Sequence, residues 1–165
     1  MREIRANQAT GDPVIGSNLF FSSGNGQQTL DPVRLTMDRP FLSIATMVAP
    51  SPDWFTGLSS WNAVNSADST WYDSFSIETY PWDAGTEFGT TYGINGPDES
   101  LTIRRLTVAN VPNNLLVNPA GTAVDPVARW NCQVAVAADD DEDCNLFCLM
   151  IEFIVLLFNL LTGAS

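Results

Sequence analysis

The sequence predicts an all-β fold, an antiparallel β-sandwich of about six to eight short strands, with a possible helical hydrophobic tail at the carboxyl terminus. Three observations carry this prediction. Apolar residues make up 45% of the chain but fall in short runs. Those runs are punctuated by 11 glycines and 10 prolines, the residues that favour turns over helices. Several runs alternate with period two, and no helical period is present before residue 144. A chain of 165 residues is long enough for one domain with a sizeable core and short for two.

Residues 1–16 are polar and turn-rich, an expected poorly ordered or partial segment. They contain no apolar core of a signal peptide, which fits either a cytosolic start or an incomplete amino terminus. Leu19-Phe20-Phe21 is a short strand at most, followed by the Gly24-Asn25-Gly26 turn. Leu30, Val33, Leu35 and Met37 then appear in rough alternation before the Asp38-Arg39-Pro40 turn. Phe41–Val48 is a continuous apolar run of the kind expected in the middle of a sheet. Thr56–Val64 reads as the return strand and Asn65–Thr70 as a polar turn. In Trp71–Tyr80, Phe75, Ile77 and Thr79 take one face, and Ser74, Ser76 and Glu78 the other. Leu101–Val108 is a strand interrupted by Arg104-Arg105, as a bulge would interrupt it. Val127–Val136 alternates, with Ala128, Trp130, Cys132, Val134 and Val136 inward.

The expected organisation is therefore a β-sandwich over residues 17–137 and an acidic linker plus hydrophobic tail over 138–165. The tail begins with Asp139-Asp140-Asp141-Glu142-Asp143 and continues as a mostly apolar run from Leu146 to Leu161. As a helix that run spans about 24 Å, short of the ~30 Å hydrocarbon core, and it carries Glu152 near its centre. A membrane anchor, a signal exchanged for a lipid anchor and an amphipathic extension outside the domain all stay open. Cys144 and Cys148, one helical turn apart, would stand about 5–6 Å apart at Cβ, too wide for a disulfide. The compartment cannot be read from the cysteines.

Composition excludes several functions. The net charge is −12, and the seven basic residues are all arginine, so no basic stripe exists to engage nucleic acid. The absence of histidine removes imidazole zinc sites and Ser–His or Cys–His nucleophile pairs. A cation is a natural partner for such a chain.

Strand direction indicates where a cation could bind. If Phe41–Val48 runs up, Thr56–Val64 runs down and Trp71–Tyr80 runs up again. The loops holding Asp53 and Asp83/Glu87 then open at the same end of the sandwich. Calcium takes six to eight oxygen ligands, and Asp53, Asp83 and Glu87, helped by strand-end carbonyls near Tyr80 and by water, are the candidate set. Pro81 halts the strand, and Gly85 permits the turn that brings Glu87 back. The plainer reading is that these acids make Asx-turns and loop caps. A glycosidase-type acid pair lacks any supporting signature. Trp54 and Trp82 suit core plugs or loop anchors better than sugar platforms.

The two loop motifs also carry a resemblance. Met47-Val48-Ala49-Pro50-Ser51-Pro52-Asp53-Trp54-Phe55-Thr56-Gly57 and Tyr80-Pro81-Trp82-Asp83-Ala84-Gly85-Thr86-Glu87-Phe88-Gly89 resemble the spondin domain of F-spondin and mindin. Trp71 and Pro126-Val127-Ala128-Arg129 match further family positions, so that the resemblance covers roughly Thr29 to Val136. It implies a secreted, non-enzymatic β-sandwich of extracellular matrix or cell-surface adhesion proteins. Its calcium ion would be held by acids that map onto Asp53, Asp83 and Glu87, and its partner would be an extracellular protein or a cell-surface carbohydrate. The competing function is a calcium-dependent phospholipid-binding module. Glu87 stands where the family has Asp, and the family's opening strand and its cysteines between the motifs have no counterpart here.

Overall fold

The structure, a computed structural model, describes residues 27–30, 32–93, 96–112, 116–136 and 143–152. The expected short strand at Leu19–Phe21 and the segment 1–16 lie outside the described residues. Among the described residues all regular elements are strands: β1 (Gln27–Thr29), β2 (Val33–Thr36), β3 (Phe41–Met47), β4 (Trp54–Asn62), β5 (Val64–Asn65) and β6 (Thr70–Trp71), then β7 (Ser74–Thr79), β8 (Pro81–Asp83), β9 (Arg104–Arg105), β10 (Ala128–Val136) and β11 (Asp143–Glu152). Every pairing between them is antiparallel. The predicted all-β antiparallel class is the observed one, with more and shorter strands than expected.

One sheet has the order β1-β11-β10-β7, and β2 also pairs with β11; the other has the order β3-β4-β8-β9. β5 and β6 form a small ribbon closed by Ser69 N–H donating to Asn65 O, at the polar turn expected there. The two large sheets share a core. Leu42 of β3 is buried with Ala128, Trp130 and Cys132 of β10, and Ile44, Leu58 and Phe75 pack against them. A second cluster (Val48, Trp54, Leu106, Val111, Leu116, Val124, Val127) fills the end of the molecule beneath the Asp53 loop. The inward set expected for β10 is observed at Ala128, Trp130 and Cys132.

The chain crosses between sheets at Tyr80. β7 belongs to one sheet and β8 to the other, and a line of buried hydroxyls bridges them. Trp130 Nε1 donates to Thr79 Oγ1 (3.2 Å), which lies 2.9 Å from Thr56 Oγ1; Thr56 in turn reaches Tyr80 O at 2.9 Å. These side chains are buried, so each hydrogen bond answers a desolvation cost.

Three expectations need correction. Phe41–Met47 is an edge strand, not a central one. Leu42 points inward, whereas Phe41, Ser43, Ala45 and Met47 are exposed, and an apolar residue on the outer face makes a half-exposed strand look fully buried in sequence. The strand expected over Leu101–Val108 shrinks to Arg104–Arg105. Leu106 N–H still bonds to Pro81 O of β8, and Leu101 N–H reaches Gly85 O beyond the end of β8. The helical tail is replaced by β11 over Asp143–Glu152, which lies in the sheet beside β10 from Ala128↔Glu152 to Val136↔Cys144. A short apolar run has no period to separate a buried strand from a helix. Residues 153–165 lie outside the described residues, and no helix among the described residues is long and apolar enough to cross a membrane. Cys132, to which the sequence assigned no partner, is disulfide-bonded, and the residue facing it in the ladder is Cys148.

Candidate functional site

The β3–β4 loop and the segment after β8 meet, as strand direction predicted. Three steps of ladder, Trp54↔Asp83, Phe55↔Trp82 and Thr56↔Pro81, bring them side by side. Ser51 Oγ accepts the Trp54 N–H at 3.2 Å and fixes the turn into β4. Trp54, fully buried at 0% exposure, stands edge-on to Tyr92 with ring centroids 5.5 Å apart. It anchors Asp53 beside it, in agreement with its expected role as a plug.

The Asp53 carboxylate organises the second loop. Its Oδ2 accepts the Thr86 N–H, the Thr86 hydroxyl at 2.8 Å and the Glu87 N–H at 3.0 Å. Burial pushes this carboxyl up, but the hydrogen bonds from Thr86 and Glu87 outweigh it and hold the pKa below the usual aspartate value. Asp53 Oδ1 is buried and has no hydrogen-bond partner.

Asp83 is 3% exposed. Its Oδ1 closes an Asx-turn by accepting the Gly85 N–H at 2.7 Å. Its Oδ2 takes both Arg104 Nε (3.0 Å) and Nη2 (2.8 Å). These bonds are the main reason that the guanidinium's pKa is raised further, and Glu99 adds a looser ion pair at 3.7 Å. Gly85 has no alternative at its position. Its φ is +76°, and an added Cβ would lie 2.4 Å from Leu101 O. Beyond it the loop folds back as a ladder, with Phe88 N–H on Pro97 O, Glu99 N–H on Thr86 O and Leu101 N–H on Gly85 O.

Glu87 is in the same loop but is differently engaged. Its Oε1 accepts the Gly96 N–H, and its backbone bridges Asp98. Asp53 and Asp83 therefore come together, while Glu87 reaches Asp53 through its main chain. Among the described residues no three His, Cys, Asp or Glu side chains converge into a group that could hold a metal ion. Arg104 escaped the sequence reading, where it stood as one half of a bulge-like pair. A cation opposite a buried carboxylate leaves no local pattern, because its partner lies 21 residues away. Of the two roles expected for Trp82, core plug or loop anchor, the first does not hold; at 36% exposure it stands on the outer face.

Comparison with known proteins gives a consistent result. The family model Spondin_N matches residues 2–120, beginning earlier than the two loop motifs suggest and ending before Pro126. Spondin-1 from Rattus norvegicus and from Homo sapiens are each 34% identical over 112 residues, covering 66% of this chain and 13% of theirs. Spondin-2 from Homo sapiens is 28% identical over 138 residues, covering 78% of this chain and 40% of its own length. The chain thus matches a minor part of the length of each of these relatives.

Proposed function

The chain belongs to the Spondin_N family, and from that membership we propose that it is a non-enzymatic, calcium-binding module that engages an extracellular protein. The observation that carries the calcium reading is Asp53 Oδ1, a buried carboxylate oxygen without a hydrogen-bond partner, next to the buried carboxyl of Asp83. Leaving a charged acceptor buried and unanswered is costly, and bringing a second carboxylate to it raises the cost. A hard cation relieves both. Asp53 would be its primary ligand, and Asp83 would join it by sharing the oxygens that now hold the Gly85 N–H and Arg104. Glu87, whose Oε1 rests on the Gly96 N–H, would be the third once its side chain turned toward Asp53, with carbonyls and water completing the six to eight oxygens that calcium takes.

Bound there, the ion would join the β3–β4 loop to the loop after β8, two segments held by a three-residue ladder and by the Asp53 carboxylate. Its role would be to fix the shape of that end of the sandwich for a partner. Arg104 competes for Asp83 and sets a baseline, since the loop already has one internal cation. The extracellular setting is supported by the disulfide at Cys132, a bond that oxidising compartments maintain.

Thermal unfolding in calcium against chelator tests this reading. At a hundred times its dissociation constant, calcium should add about 2.7 kcal/mol of stability. Asp53→Ala should abolish the difference between the two conditions. Equal midpoints for the unsubstituted chain with and without calcium would remove the metal from the proposal. Calcium-dependent binding to anionic vesicles would move the proposed partner from protein to lipid headgroup.

A further inference from the structure

The free edge of β3 is complementary to itself. Among the described residues β3 pairs on one side, with β4. Val48 N–H donates to Trp54 O and Ala63 N–H to Pro40 O, and these two bonds fix the phase of the ladder on either side of its bulge. Antiparallel strands alternate hydrogen-bonded and non-bonded pairs. Residues 42, 44 and 46 therefore turn their backbone groups toward β4, and Phe41, Ser43, Ala45 and Met47 turn theirs toward the free edge. The same four side chains stand on the exposed face of the sheet. Phe41 is 60% exposed and Met47 61%.

Edge strands are ordinarily protected from pairing by charge, proline, a bulge or a cover. Phe41–Met47 contains no charged residue and no proline, in a chain of net charge −12. Its bulge faces the other way, toward β4, where Ser59 and Ser60 oppose Ser43. The contact itself would thus carry none of the charge that keeps the rest of the surface apart.

We propose that β3 pairs antiparallel with β3 of a second copy of this chain, about a twofold axis through Ile44, joining the two four-stranded sheets into one. In this register Phe41 faces the partner's Met47 and Ser43 faces the partner's Ala45. Each of these is a pair whose backbone groups both point at the free edge. A slip of one residue would oppose outward groups to inward ones, and a slip of two would leave an end of the strand unpaired. Met47 already lies in cross-strand line with Phe55 and Trp82. The partner's Phe41 extends that outer row by one aromatic ring, against the thioether with which such rings pack well. The interface is isologous, so it closes at two copies.

Sedimentation of the whole chain over a concentration series tests the proposal. The expected result is a reversible monomer–dimer equilibrium. Ala45→Lys and Met47→Lys should each weaken the dimer, the former by placing like charges diagonally across the axis. Both positions are exposed, so circular dichroism and the melting midpoint should hold. Ile44→Cys should give a covalent dimer on mild oxidation, because residues on the axis would be a non-bonded pair about 4.5 Å apart at Cα, within disulfide range. A monomer throughout the series would overturn the proposal. So would a dimer unaffected by either lysine, or one that persists while Ile44→Cys fails to cross-link.

Discussion

Asp53 shows how one side chain serves both scaffold and site. One carboxylate oxygen receives three donors from Thr86 and Glu87 and so shapes the loop, while the other is buried without a partner. The acids at positions 53, 83 and 87 were legible in sequence because strand direction alone sends their loops to one end. Their division of labour was not, since it depends on which oxygen meets which amide. The Asp53 pKa is lowered in the fold. Its carboxylate therefore stabilises the native state fully above the unfolded value of about 4, and that contribution is lost as pH falls through the lower folded value. The urea midpoint should hold steady between pH 7 and 5 and fall below about pH 4. Asp53→Asn removes the charge and leaves a neutral amide oxygen to accept the three donors. It should cost about 1.5–3 kcal/mol at neutral pH and flatten the acid limb; an unchanged acid limb would assign it to other carboxylates.

At the scale of elements, the passage from β7 through Tyr80 to β8 is what places Asp83 opposite Trp54. The alternation of Phe75, Ile77 and Thr79 made β7 readable, and Trp130 and Cys132 made β10 readable. The change of sheet at Tyr80 was hidden, because Pro81 signals the end of a strand without saying where the chain goes next. β9 was overread in length: Leu101 and Leu106 continue an apolar pattern, but the ladder with β8 covers Arg104–Arg105, and Leu101 N–H bonds past the end of β8, to Gly85 O. The hydroxyls of Thr56 and Thr79 are the polar link across the crossing. Thr79→Val keeps the shape and strands the Trp130 indole N–H. A loss of about 1–3 kcal/mol is expected, measured by urea unfolding. Combining it with Trp130→Phe should recover part of that loss, since the orphaned donor is then gone; purely additive losses would mean that the hydroxyls do not act through the indole.

For the whole molecule, the decisive strand is β11. It is paired with β10 along its length and carries β1 and β2 on its other edge, so three strands depend on it. Its acidic approach and apolar run suggested a linker and a tail, because sequence patterning marks which residues avoid water without marking whether sheet or bilayer receives them. The two alternatives predict opposite consequences for truncation. A tail outside the domain could be removed after Val136 with little change in the melting transition. A central strand could not: β10 would lose the partner on one side, β1 and β2 would lose theirs, and the core around Trp130 would open to water. The strand reading also removes the residue that faces disulfide-bonded Cys132 in the ladder. A chain ending at Val136 should therefore lose its cooperative thermal transition and bind a hydrophobic dye. A chain ending at Glu152 should keep the transition. If the shorter chain melts as sharply and as high as the full one, β11 is dispensable and the five-stranded sheet is not the unit that folds.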